Sequence, residues 1–161
     1  VAEVTQEALA HMRTMGFALS PCIVPKVGKA TFEIEENELE LGMGIHGEPG
    51  IEVCSMMEAD QIADRVLDKI LADMPLSEGD EVSVMVNGLG ATPLEELLIL
   101  YRRVYQGLAE KGISIYMPHI GEFATSMEMA GASITIFKLN ERLKRYLREP
   151  ANTPFYTNLN K

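Results

Sequence analysis

The chain has 161 residues, 47% of them apolar, and a mean hydropathy close to zero, which suits one compact globular domain with a core of its own. Twenty-four acids against 14 bases give a formal charge of −10, and the bases are scattered apart from Arg102–Arg103 and the Arg142–Arg148 stretch, so no duplex-binding surface is expected and nucleic acid is not an expected partner. No apolar run approaches the roughly 20 residues of a bilayer span, and Cys22 and Cys54 stand far apart outside any CxxC spacing, so the expectation is a reduced, cytoplasmic protein away from membranes.

The sequence opens Val-Ala-Glu and runs directly into an amphipathic pattern, which reads as a piece of a longer chain. Ala8, Leu9, Met12 and Met15 fall on one stripe and predict a helix over Thr5–Met15 closed by Gly16. The β-branched run Phe17–Val24, stopped by Pro25, predicts a strand, and Pro25, Gly28 and Lys29 a connector. Phe32–Ile34 and Leu39–Ile45 predict two strands joined by a solvated turn at Glu35-Glu36-Asn37. His46–Ser55 reads as a loop, and Glu58–Met74 as a helix with Ile62, Val66, Ile70 and Met74 at helical spacing, stopped by Pro75. Glu81–Val86 alternates as a strand and Asn87–Ala91 is a glycine-rich turn. Thr92 is then predicted to cap a helix with Pro93 in its first turn and Glu95 completing a capping box, the helix ending at Gly112. Ser114–Met117 and Ser133–Leu139 predict two further strands, Asn140 caps a last helix to about Arg148, and the tail 150–161 reads as polar and extended. The expected fold class is α/β: a single domain over 1–161, a two-layer sandwich with a mixed sheet of about six strands and helices packed on it.

The densest glycine cluster is Leu41-Gly42-Met43-Gly44-Ile45-His46-Gly47-Glu48-Pro49-Gly50. Gly42, Gly44 and Gly47 spell G-x-G-x-x-G, but a dinucleotide site needs a helix to begin at the motif, and here Pro49 and Gly50 follow. What remains is a histidine at a strand end among residues without bulky side chains, where Gly44 and Gly47 leave room for a ligand and Pro49 stiffens the exit. On the residues alone, a reactive imidazole and a structural histidine at a tight turn both remain open. Gly88-Leu89-Gly90-Ala91-Thr92 invites a phosphate-loop reading, yet it lacks the Gly-Lys-Ser/Thr ending, and Glu95 and Glu96 already occupy the positive end of the following helix. His119 follows Pro118 and would join a metal site only across long separations from His46, Glu48 or Cys54, so no metal is expected. His11 reads as a helix residue of no special chemistry, and the ten methionines as core filler.

The string Gly42–Gly50 resembles the signature of the K subunit of dihydroxyacetone kinase. The likeness continues through Ser20-Pro21-Cys22-Ile23-Val24-Pro25, Val86-Asn87-Gly88-Leu89-Gly90-Ala91-Thr92-Pro93 and Thr125-Ser126-Met127-Glu128-Met129-Ala130-Gly131, in order over nearly the whole chain. The resemblance implies that His46 anchors dihydroxyacetone covalently, with Gly44, Gly47 and Glu48 forming the substrate-binding loop. A neutral imidazole nitrogen adds to the ketone carbon as a hemiaminal, which selects carbonyl compounds over glycerol, so binding weakens as acid protonates the ring. It further implies that the acid–base histidine and aspartate of the family belong to an amino-terminal half outside this sequence. ADP or ATP and Mg would be held on a separate L subunit rather than by this chain. The tail resembles a subunit end of the multi-subunit form linked to the phosphotransferase system. The partners implied are that L subunit, a phosphocarrier subunit and a second copy in a homodimer. The alternative is a dihydroxyacetone-binding homologue that acts as a transcriptional co-activator without phosphoryl transfer.

Overall fold

A computed structural model gives the fold and describes residues 1–23, 28–30, 32–46 and 48–159. The first half runs α1 (Ala2–Ala10), β1 (Met12–Ala18), β2 (Glu38–Leu41), β3 (Glu52–Ser55) and α2 (Ala59–Asp73). The second half runs β4 (Glu81–Gly88), α3 (Leu94–Ala109), β5 (Ser114–Gly121), β6 (Gly131–Lys138), α4 (Glu141–Leu147), β7 (Ala151–Asn152) and β8 (Thr157–Asn158). Six strands form one mixed sheet in the order β3-β2-β1-β6-β4-β5. β4 and β5 pair in parallel and the remaining neighbours antiparallel. Parallel neighbours need a crossover, and α3 supplies it between β4 and β5.

The period-2 pattern decides which face is buried. Val82, Val84 and Val86 of β4 and Ala132, Ile134 and Ile136 of β6 all point to one side and are fully buried. They pack against Ile62, Val66 and Ile70 of α2 and Leu97, Leu100, Val104 and Leu108 of α3. Each helix thus contributes one apolar stripe, which fixes both on the same face of the sheet. Arg103 ties them together across the surface through Asp64 at 2.7 Å. Thr14, Ser83, Met85, Asn87, Ser133 and Thr135, the intervening strand residues, belong to the opposite face.

Local signals explain most boundaries. Glu58 begins α2 with a capping box, its backbone N–H donating to Gln61 Oε1 at 3.0 Å. Asn140 begins α4, with its Oδ1 accepting the Leu143 N–H at 2.9 Å. The expected helices at 58–74 and 140–148 and the strands at 81–86 and 133–139 all appear within a few residues of their predicted bounds.

Several expectations are corrected. The helical stripe ending at Met15 stops at Ala10, and Met12–Ala18 pairs residue by residue with β6, from Met12↔Phe137 to Ala18↔Gly131. Met15 and Phe17 also alternate toward the core, and a seven-residue ladder outweighs the weak tendency of a short helix to persist. The strand predicted over Phe17–Val24 therefore ends at Ala18, while Val24 and Pro25 lie outside the described residues. Phe32–Ile34 is not a strand; the hairpin is β2–β3, with Glu52–Ser55 pairing Glu38–Leu41, so the expected loop 46–55 ends in a strand. Val53 faces solvent at 53% exposure, which hid that edge strand from an apolar count. Thr92 is not the cap of α3, whose first flanking residue is Pro93 without a side-chain cap. Its hydroxyl is committed elsewhere, donating to Gly131 O at 2.7 Å and accepting Gly131 N–H at 2.8 Å. Finally, the tail folds into the β7–β8 hairpin, closed by Thr153 Oγ1 accepting the Tyr156 N–H at 2.9 Å.

Candidate functional site

His46 stands in the loop that joins β2 to β3. The loop leaves β2 at Gly42, whose φ of +81° lies in the left-handed region where a side chain is strained. It crosses directly over β1: Gly42 N–H donates to Gly16 O at 2.7 Å, and a Cβ on Gly16 would lie 2.6 Å from the Met43 carbonyl oxygen. It returns through Ile51 N–H to Leu41 O at 2.7 Å and Gly50 N–H to the nearly buried Glu40 carboxylate at 2.5 Å. Met43 is buried and Ile45 half-buried, so alternate residues anchor the loop and the next one, His46, is pushed outward. The His46 side chain is 80% exposed.

Below the loop lies a second apolar cluster of Ala18, Cys22, Met43, Leu89 and Met129. The strings that carry the family resemblance converge on it. Leu89 N–H donates to Gly131 O at 3.2 Å, Ala91 N–H to Met129 O at 3.2 Å, Ser126 Oγ to Leu89 O at 2.5 Å, and Ala130 N–H to Ser20 Oγ at 3.0 Å. The glycine-rich turn at 88–92 is therefore a structural knot packed beside Met43 and the histidine loop. Asn87 belongs to the same framework: its Oδ1 accepts the Phe123 and Ala124 N–H groups at 2.8 and 3.0 Å, and its Nδ2 donates to Ala124 O at 2.7 Å. Taken locally, 87–91 is a glycine-rich turn and Thr92 a helix cap. Their role depends on β4, β6 and two loops meeting, which no local spacing announces.

A cavity of about 710 Å³ opens beside the loop, with Thr14, Gly44, Ile45, Met85, Asn87 and Ser133 in its wall together with Lys69, Ile70 and Asp73 of α2. His46 is not among the residues of that wall. Glu48 curls back onto it. Glu48 Oε2 accepts the His46 backbone N–H at 3.1 Å, and Oε1 lies 3.3 Å from Nδ1. Gly44 N–H donates to Glu48 O at 3.2 Å, and the space a Gly44 side chain would need is filled by the Glu48 carboxylate. The backbone amides of Glu48 and His46 hold the Glu48 carboxyl below the usual carboxylate range, against a smaller opposing effect of desolvation. Gly47 lies outside the described residues.

His119 is not brought to this site. β5 and the β2–β3 hairpin sit at opposite edges of the sheet. His119 Nε2 instead meets Tyr156 Oη at 2.9 Å, and its ring packs edge-on against Phe123. Burial pushes its pKa below the ordinary value. His11 ends α1, with Nδ1 2.8 Å from Glu7 O, a helix-terminal contact. Cys22 is buried and Cys54 half-buried. Among the described residues no three His, Cys, Asp or Glu side chains gather as a metal set, and no helix is long and apolar enough to cross a membrane.

Fold and loop together define an α/β domain that presents a histidine from a β-hairpin loop seated on its own sheet. Residues 1–155 match the model of the Dak1 domain, and the chain belongs to that family. The dihydroxyacetone-binding subunit DhaK of the PTS-dependent dihydroxyacetone kinase 2 of Listeria innocua is 45% identical over 156 residues, covering 97% of this chain and 47% of its own length. The L-erythrulose kinase of Pectobacterium atrosepticum is 40% identical over 160 residues, covering 97% of this chain and 27% of its own. Among solved structures, the dihydroxyacetone kinase operon co-activator Dha-DhaQ superposes with a TM-score of 0.83 at 31% identity, over 93% of this chain and 48% of that one. The chain thus spans about half the length of the binding-subunit relative, and about a quarter of the L-erythrulose kinase.

Proposed function

We propose that this chain is the histidine-bearing half of a dihydroxyacetone-binding kinase subunit, and that His46 holds the ketone as a covalent hemiaminal while a terminal hydroxyl is phosphorylated. The observation that carries this is the loop itself: an imidazole 80% exposed, at a site whose described neighbours are half-buried or engaged within the loop, beside a largely apolar cavity with a few polar groups in its wall. Addition of a neutral ring nitrogen to the carbonyl needs such access, and holding the substrate converts phosphoryl transfer into a problem already solved in position. The 45% identity to a dihydroxyacetone-binding subunit of a PTS-dependent kinase supports dihydroxyacetone as the substrate and the multi-subunit kinase as the setting. On this reading a separate nucleotide-binding L subunit and a phosphocarrier are the partners, and the subunit works as a homodimer. Nucleotide and Mg would sit on that L subunit. The acid–base groups of phosphoryl transfer would come from polypeptide outside residues 1–161.

The test uses the full-length polypeptide that carries this sequence, intact and as His46→Ala. Native mass spectrometry in dihydroxyacetone should show one added triose on the intact protein and none on the variant. With an L-type partner and its phosphoryl donor, the intact protein should form dihydroxyacetone phosphate and the variant should lose turnover by roughly 100-fold or more. Absence of both adduct and turnover sinks the assignment of His46. The likeness to the co-activator favours a second reading, a sensor that binds the triose without transferring phosphate. An adduct that never turns over would establish it.

A further inference from the structure

We propose that Glu48 is the positioning residue of His46, fixing the ring proton on Nδ1 so that Nε2 carries the lone pair that meets the ketone. This rests on the reading of His46 as the substrate anchor. An ionised carboxylate offers acceptors and no donor. Both Glu48 oxygens face the histidine: Oε2 is committed to the His46 backbone N–H at 3.1 Å, and Oε1 looks at Nδ1 across 3.3 Å. Nδ1 must therefore present a hydrogen. A neutral imidazole has one N–H, so Nε2 is left unprotonated, and the hydrogen bonds of His46 to described residues run through its backbone N–H and Nδ1. The backbone amides that hold the Glu48 carboxyl below its usual range keep it in the accepting form.

The loop is built around this carboxylate. A side chain at Gly44 would occupy its place, and the Gly44 N–H to Glu48 O bond at 3.2 Å holds the two ends of the turn together. Glycine at position 44 therefore makes room for the Glu48 carboxylate.

The chemistry balances as follows. The Nε2 pair forms the bond to the carbonyl carbon, the carbonyl π pair moves to oxygen, and that oxygen takes a proton from solvent. The ring keeps Nδ1–H and becomes cationic, facing the Glu48 carboxylate, which stabilises the charge. Release of the Nδ1 proton to water yields the neutral hemiaminal; the same steps in reverse free the ketone.

Glu48→Gln is the discriminating variant because its side chain keeps the size of the carboxylate but can accept at only one atom. If the amide oxygen retains the His46 N–H, the NH₂ group faces Nδ1, which must then accept, and the ring proton moves to Nε2 and blocks attack. NMR of the ring nitrogens of His46 in the full-length polypeptide, without substrate, should show the Nδ1–H tautomer in the natural protein and a shift toward Nε2–H in the variant. Adduct formation with dihydroxyacetone should slow by about tenfold in the variant, the size expected for losing one charge-assisted contact. An unchanged tautomer together with an unchanged rate overturns the proposal. If the natural protein forms no adduct at all, the anchor reading fails, and the tautomer measurement still decides the role of Glu48.

Discussion

Replacing Gly16 by alanine tests whether the histidine loop is seated on β1. The added Cβ would lie 2.6 Å from the Met43 carbonyl oxygen, which would have to retreat to the 3.4 Å of ordinary contact. That oxygen belongs to backbone between Gly42, bonded to Gly16 O at 2.7 Å, and the buried Met43 side chain, so it cannot swing aside alone. Overpacking against a fixed atom costs about 1–3 kcal/mol. Removing a strand glycine returns about 0.5–1 kcal/mol through the unfolded chain. The net loss expected is about 1–2 kcal/mol, which for a domain of this size lowers Tm by about 2–8 °C. Urea unfolding followed by circular dichroism measures the loss, and NMR of the loop amides should show Gly42–Glu48 shifting while α2 and α3 stay unchanged. A variant as stable as the parent, or more so, with unmoved loop resonances would refute the account of the loop as packed on Gly16.

Thr92→Val preserves volume but removes the hydroxyl that both donates to and accepts from Gly131 within the buried knot. It should cost about 1–3 kcal/mol in the same urea assay, far more than loss of an exposed helix cap would cost through fraying alone. Acid should act through His119, whose burial holds its pKa below the ordinary 6.5. The contribution is fully present above 6.5, where both states are neutral. It declines as the pH falls from 6.5 toward the lower native value, because the unfolded chain binds the proton first. A Tm series from about pH 8 to about pH 5 should show this decline in the parent and a weaker one in His119→Gln. Equal slopes would mean that His119 is not the titrating group.

Some of this protein is written locally. The helical periods of 59–73 and 94–109, the capping residue Asn140, and the alternation along β4 and β6 are decided within a few residues of where they act, and they are legible in one dimension. The same is true of the exposed histidine among small residues in Gly42–Gly50, because a loop that must turn sharply and expose a ring has few compatible neighbours. Other features exist only once distant segments meet. Met12–Gly16 suits a helix stripe as well as a strand, and β6, more than a hundred residues later, decides between them by supplying a complete ladder. Thr92 has the local chemistry of a cap, yet Gly131 claims its hydroxyl because the two lie together inside the fold. The likeness strings at 20–25, 86–93 and 125–131 become a support for Met43 only when β4 and β6 bring them side by side. Even Glu48, two residues from His46, faces Nδ1 only in the folded loop. Hydrogen bonds and packing depend on separation in space, and for these residues the sheet, not the spacing along the chain, sets that separation.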